Sequence, residues 1–266
     1  MSKNVNLKKF LVLMFSVFLL LPSISSAAES TEYKYKTLEE FYQAAKILKA
    51  DSSKTEEEIG DLLLKNTDPI VLNQYFDEFF NEVNSSMEVL MEKANKESLN
   101  INTKNNNGTI LYNDKIYLSH GEKVQIIIKD EPEASIGITG SEYKEYGNRR
   151  YTATFKINAI AWPDSTISLV NHYKIGSYGL KMTSVDSAGT TAIFPTTIKV
   201  VSTDITDGVA EKVGYDINGR GQYTVTIGGY NGIGLITRHY TLTSTIKLEK
   251  LYNDAAVVNQ SFSVKY

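Results

Sequence analysis

Cysteine is absent from all 266 residues. No disulfide can staple the fold, no thiolate can complete a zinc site, and no thiol is present for bacterial lipid attachment. Histidine is almost absent, with only His120, His172 and His239. Neither HExxH nor HxH spacing occurs among them, which removes the usual metal-hydrolase signatures. The glycine-rich stretch Gly228-Gly229-Tyr230-Asn231-Gly232-Ile233-Gly234 matches neither GxGxxG nor GxxxxGK, so it reads as a hairpin loop and not a phosphate cradle. Asp216-Ile217-Asn218-Gly219 begins like an EF-hand loop, but Ile227 stands where that loop needs its bidentate Glu. No catalytic residue, cofactor or metal is therefore assigned. Tryptophan occurs once, at Trp162, where a plug at the end of a β-fold is the expected role.

Long apolar runs are also missing, with one exception. Lys3, Lys8 and Lys9 precede the run from Phe10 to Leu21, Pro22 follows it, and Ser25-Ser26-Ala27-Ala28 offers small residues for cleavage. The run has 12 residues, well short of the roughly 20 needed to cross a bilayer. Residues 1–28 are expected to be a cleaved signal peptide, with cleavage near Ala27 or Ala28. The mature chain is then secreted and extracellular, with no transmembrane helix. A secreted, cysteine-free chain rich in Lys and Asn fits a bacterium.

Charge divides the mature chain. Residues 29–98 carry 8 Lys and Arg against 16 Asp and Glu, while residues 99–266 carry 17 against 15. A segment of net −8 repels nucleic acid, and one of net +2 attracts it little, so no nucleic-acid partner is expected.

The acidic segment has three helix starts. Thr37 and Glu40, then Thr55 and Glu58, have capping-box spacing, and Asp68-Pro69 places a capping Asp before a Pro at the first helical position. Behind the third start, Leu72, Tyr75, Phe76, Phe79, Phe80, Val83, Met87, Leu90, Met91 and Ala94 fall on one face. That stripe suits either a partner or a core seam against the two shorter helices, and the seam is the expected role.

Residues 99–108 are polar and turn-prone and are expected to be a linker. Beyond them the apolar period changes from 3.6 to 2. Val124, Ile126 and Ile128 alternate with polar residues, as do Tyr151, Ala153, Phe155 and Ile157, and Ile236, Tyr240, Leu242, Ile246 and Leu248 line one long strand. Trp162-Pro163-Asp164-Ser165 is expected to turn. Val213, Tyr215 and Ile217 are expected to lead through a turn at Asn218-Gly219-Arg220-Gly221 into Tyr223, Val225 and Ile227. The expected architecture is α+β: three helices over 29–98, then an antiparallel, immunoglobulin-like or similar β-sandwich of roughly ten strands over 109–266. Phe155, Tyr215 and Leu242 should lie inside it.

Recognition is the chemistry these residues favour most. The β region holds 13 of the 17 tyrosines. Tyr143, Tyr146, Arg149 and Arg150, with Tyr230 on the glycine-rich loop, combine the residue types that dominate binding hot spots. Nearby, Asp130, Glu131, Glu133, Glu142 and Glu145 are expected to be solvated loop charge. The expected function is an exported, non-enzymatic binding protein for a cell-wall, glycan or protein ligand. Two alternatives belong to other classes. Alternating Thr at 224, 226, 241, 243 and 245 suits a secreted membrane-active toxin or antimicrobial whose strands form a pore wall, with the acidic helices as a detachable pro-segment. A hydrolase would need one of the three histidines, or a carboxylate pair from 130–145, in a cleft.

Overall fold

The computed structural model describes residues 32–98, 110–133, 143–159, 164–190, 196–228 and 236–266. The expected signal peptide, the linker, the Trp162 turn and Tyr230 lie outside these residues. Met1–Tyr33 forms one unit and Lys34–Tyr266 another; only the second is described below.

Among the described residues three helices come first, and the local chemistry that starts each is visible. Helix α1 (Leu38–Ala50) begins at Thr37, whose hydroxyl accepts the Glu40 N–H while the Glu40 carboxylate accepts the Thr37 N–H. Helix α2 (Glu56–Asn66) repeats the device with Thr55 and Glu58. Helix α3 (Pro69–Ser98) follows Asp68, whose carboxylate accepts the Ile70 N–H at 2.8 Å. These caps satisfy donors that a helix leaves unpaired at its start. The α3 stripe from Leu72 to Ala94 is buried along its length, but mainly against the β region and not against the two shorter helices. Phe41 and Tyr42 of α1 pack on Tyr75, with ring centroids 4.7 and 5.6 Å away.

Eleven strands follow: β1 (Ile110–Tyr117), β2 (Lys123–Pro132), β3 (Tyr143–Glu145), β4 (Gly147–Asn158), β5 (Ser165–Gly176), β6 (Gly179–Thr190), β7 (Thr196–Asp207), β8 (Val209–Ala210), β9 (Asp216–Ile227), β10 (Ile236–Leu251) and β11 (Ala255–Lys265). One sheet has the order β1-β2-β4-β5-β6-β8 and the other β3-β11-β10-β9-β7. Every pairing within them is antiparallel. The mostly β architecture after three helices agrees with the two-residue rhythm, with one strand more than the approximate ten.

The sheets pack face to face. Phe155 and Leu242 are fully buried, as expected. The Tyr151 ring of β4 meets the Phe262 ring of β11 at 5.1 Å, and the Tyr223 hydroxyl of β9 donates to the Ser168 carbonyl of β5 at 2.5 Å. Tyr215 is a correction. It is 58 % exposed, because it lies in the turn before β9 and its amide caps the Lys212 carbonyl at 3.1 Å.

The expected turn at Asn218–Gly221 is a second correction, since all four residues are inside β9 and pair across to β10 from Thr245 to Leu242. The physical reason is the close approach of the sheets. Gly219 and Gly221 face inward. A Cβ on Gly219 would collide with the Asn171 side chain and come within 2.9 Å of Val185, and one on Gly221 would collide with the Ser187 hydroxyl. Two inward positions without side chains let β9 settle against β5 and β6.

Helix α3 lies against β11, β1 and β2. Beyond its short pairing with β3, β11 has no further strand beside it among the described residues, and there the Asn95 carboxamide takes the place of a strand. Its Oδ1 accepts the Phe262 N–H at 3.0 Å and its Nδ2 donates to the Phe262 carbonyl at 2.8 Å. Tyr240 donates to Asn84 at 3.0 Å, and Arg238 pairs with Asp77 at 3.1 Å. The Arg238 guanidinium also sits 5.7 Å from the Phe80 ring centroid.

Candidate binding groove

The Tyr- and Arg-rich segment is half-buried, and its described Tyr and Arg side chains are engaged within the fold. Tyr143 lies in β3, opposite Val257; its side chain is outside the described residues. Tyr146 fastens the β3–β4 corner to the β10–β11 turn: its hydroxyl donates to the Tyr252 carbonyl and its N–H to the Asp254 carbonyl, the latter at 3.0 Å. Arg149 sends Nε and Nη2 to Asp130 Oδ2 at 3.2 and 3.0 Å. Arg150 pairs with Glu131 at a half-exposed position.

Asp130 is fully buried, which overturns its expected role as solvated loop charge. It sits near the end of β2 and receives Lys144 of β3, Arg149 of β4 and the Tyr173 hydroxyl of β5, the last at 3.1 Å. Gln260 of β11 donates to the same Tyr173 oxygen at 3.1 Å. Burial acts to raise the Asp130 carboxyl, but the Lys144 and Arg149 charges outweigh it and hold the group below the ordinary carboxylate range. Burial pushes the Tyr173 hydroxyl well up, and neighbouring Asp130 adds to this. This cluster ties five strands from both sheets together. Its polar groups are spent on one another.

The histidines occupy three separate elements. His172 of β5 has Nδ1 on Glu133 and Nε2 on Asp186, the latter at 3.0 Å. His239 of β10 bonds to Thr224 at 3.1 Å. His120, in the β1–β2 turn, stacks on Tyr42 at 3.5 Å between centroids. Among the described residues, no group of three or more His, Asp or Glu side chains is arranged to hold a metal ion. No described helix is long and apolar enough to cross a membrane.

The unspent polar groups lie elsewhere. Between α3 and the β1–β2 turn is an open groove of about 470 Å³ lined by Asn81, Glu82, Ser85, Ser86, Tyr117, Leu118 and Ser119. Its size falls within the range of small-ligand sites. One wall comes from successive turns of α3, since residues four apart on a helix share a face. The other wall is the turn, pinned by three contacts. Ser119 donates its N–H to Glu82 Oε2 at 2.8 Å, His120 stacks on Tyr42, and Glu122 accepts from the Tyr75 hydroxyl at 3.3 Å.

Glu122 is only 4 % exposed, and burial pushes its carboxyl above the ordinary range. Burial also raises the Tyr42 hydroxyl, with Glu122, Glu78 and Glu82 adding to the effect. Of these acids only Glu82 lines the groove; Glu122 and Glu78 lie outside its lining.

The side chains of Asn81, Ser86 and Ser119 have no hydrogen-bond partner among the described residues. The Ser85 hydroxyl donates to the Asn81 carbonyl at 2.9 Å, which leaves its lone pairs available. Tyr117 is 62 % exposed, with the Lys115 ammonium 5.2 Å from its ring centroid. A smaller depression of about 290 Å³ along α2 differs in that its Lys65 and Asp61 neutralise each other at 2.8 Å.

None of the groove residues was singled out in the sequence. Ser85, exposed in the middle of a 30-residue helix, was the available signal, because serine there costs helix propensity without filling a core position; Ser86 beside it is buried. Comparison of the chain with protein-family models, with curated proteins and with solved structures gives no match.

Proposed function

We propose that the chain is an exported, non-enzymatic binding protein, secreted through a cleaved signal peptide, that takes a cell-wall, glycan or protein ligand in the groove between α3 and the β1–β2 turn. One observation carries this reading: several polar side chains with no hydrogen-bond partner among the described residues converge beside an exposed aromatic ring, in a concavity whose walls are held by contacts between α3 and the turn. Elsewhere Asp130, Glu131, Glu133, Arg149 and Arg150 are paired within the fold. The immunoglobulin-like assignment of the β region belongs to the same proposal and is supported by two antiparallel sheets packed face to face. The test is to incubate the exported form, recovered from culture medium, with cell-wall fractions, a glycan array and secreted proteins. Retention on at least one of these, reduced in Asn81→Ala, is expected; no retention on any would overturn the reading.

A second reading, a membrane-active protein, is favoured by the hydroxyl rows on the outer face of the five-stranded sheet. Thr197, Thr226 and Thr237 stand abreast on β7, β9 and β10, and Thr243 and Thr245 stand opposite Ser263 and Ser261. Dye release from liposomes of anionic and zwitterionic composition would support it, and intact vesicles between pH 5 and 8 would discard it.

A further inference from the structure

We infer that the occupant of the groove is an uncharged sugar ring, as a monosaccharide unit or the end of a longer glycan; this rests on the groove being the binding site. Sugar recognition makes two demands at once. The ring hydroxyls need neighbours that both donate and accept, and the C–H face of the ring needs a flat apolar partner. The groove meets both. Asn81 offers two N–H donors and a carbonyl, Ser86 and Ser119 each offer a donor and an acceptor, and Ser85 accepts. Glu82 spends Oε2 on the Ser119 N–H and keeps Oε1 for a hydroxyl, where a charge-assisted bond is about twice as strong as a neutral one.

Tyr117 supplies the platform. Lys115 lies over its ring, and no other described residue makes a ring contact with it. Leu118, buried behind the turn, gives the groove its apolar base.

Charge narrows the class. Glu82 stands in the wall, and Glu78 and Glu122 lie close enough to raise the Tyr42 hydroxyl together with it. A uronate or a phosphorylated sugar would bring a like charge against Glu82 on the α3 wall, with the Lys115 ammonium over the Tyr117 ring as the counter-charge on the other side. At about 470 Å³ the site has room for one ring or two, not for a chain seated along its length. Tight binding would then require several copies of the sugar on one polymer.

Isothermal titration calorimetry of the exported protein with glucose, galactose, mannose, N-acetylglucosamine and glucuronate tests this. At least one uncharged sugar is expected to bind with a dissociation constant in the millimolar range, and glucuronate at least ten-fold more weakly. Tyr117→Ala should weaken that binding ten-fold or more and Asn81→Ala three-fold or more. Both are surface positions, so the melting temperature should stay within about 2 °C of wild type; a variant that melts lower is replaced by Ser119→Ala or Tyr117→Leu.

The same variants are then assayed for retention on the cell-wall fraction, with and without competing sugar and periodate oxidation of the fraction. Retention lost in Tyr117→Ala but indifferent to every sugar and to periodate would overturn the sugar assignment and leave the groove as the site. Retention untouched by Tyr117→Ala and Asn81→Ala would overturn both.

Discussion

Replacing Asp130 with Asn should destabilise the protein by about 3–5 kcal/mol, because removing one partner of a buried ion pair leaves the other charge buried without compensation. Here two cations are orphaned. Lys144 and Arg149 both turn their charge to this one carboxylate, and both are largely buried. The Tyr173 hydroxyl loses a charged acceptor in the same step. Spread over a unit of this size, the loss corresponds to a drop of roughly 6–20 °C in melting temperature, at about 2–4 °C per kcal/mol.

Urea unfolding followed by circular dichroism would measure it, with an unchanged m-value showing that only stability has moved. The pH dependence provides a second readout. The Asp130 carboxyl lies below its ordinary value in the folded state. Its contribution is therefore fully present above the unfolded value near 3.9 and is lost as pH falls through the folded value. Wild type should lose stability below about pH 4, and Asp130→Asn should lack that part of the fall. The triple variant Asp130→Leu, Lys144→Met, Arg149→Met should recover most of the loss, since a whole buried ionic cluster is often replaced by apolar groups at little cost. If Asp130→Asn unfolds within about 1 kcal/mol of wild type at pH 7, the cluster does not hold the sheets together as described.

Three further outcomes follow from the packing. Glu122→Gln should stabilise the protein by about 1 kcal/mol at pH 7 by removing a buried carboxylate. Burial raises this carboxyl, so wild-type stability falls as pH rises from the unfolded value near 4.3 through the folded one, and the gap between the two proteins should close below about pH 4; a constant gap in a series of melting curves would refute this. Asn95→Ala should cost about 1–3 kcal/mol and speed amide exchange at Phe262 above all other β11 positions, because both Phe262 backbone groups lose their partner. Gly219→Ala should cost about 1–3 kcal/mol by overpacking against Asn171 and Val185, measured by urea unfolding; a neutral Ala would mean that the sheets are not in close contact there.

Much of the fold is written in short-range chemistry. Thr37, Thr55 and Asp68 declare their helices because a cap is a contact between residues two or three apart. Val124, Phe155 and Leu242 declare their strands because alternation is also local. The misreadings occur where a residue's meaning depends on the opposite sheet. Gly219 and Gly221 look like a turn until β5 and β6 are placed against them.

Arg149 and Tyr146 have the composition of a hot spot. Arginine and tyrosine serve equally well in an internal network, and only the arrival of β2 and β11 beside them decides between the two. The groove is the least legible feature, since residues 81–86 and 117–119 meet through tertiary packing alone. An exposed serine such as Ser85 carries no record of what lies across from its helix.

The Asn95 contact makes α3 a stand-in for a missing neighbour strand. A chain clipped between residues 98 and 110 and stripped of its helices would bare the β11 border, the Phe262 backbone groups included, together with the apolar surface that α3 shields. Such a border invites identical molecules to line up edge to edge. Proteolytic release of the helices would therefore leave a molecule prone to assemble into fibres.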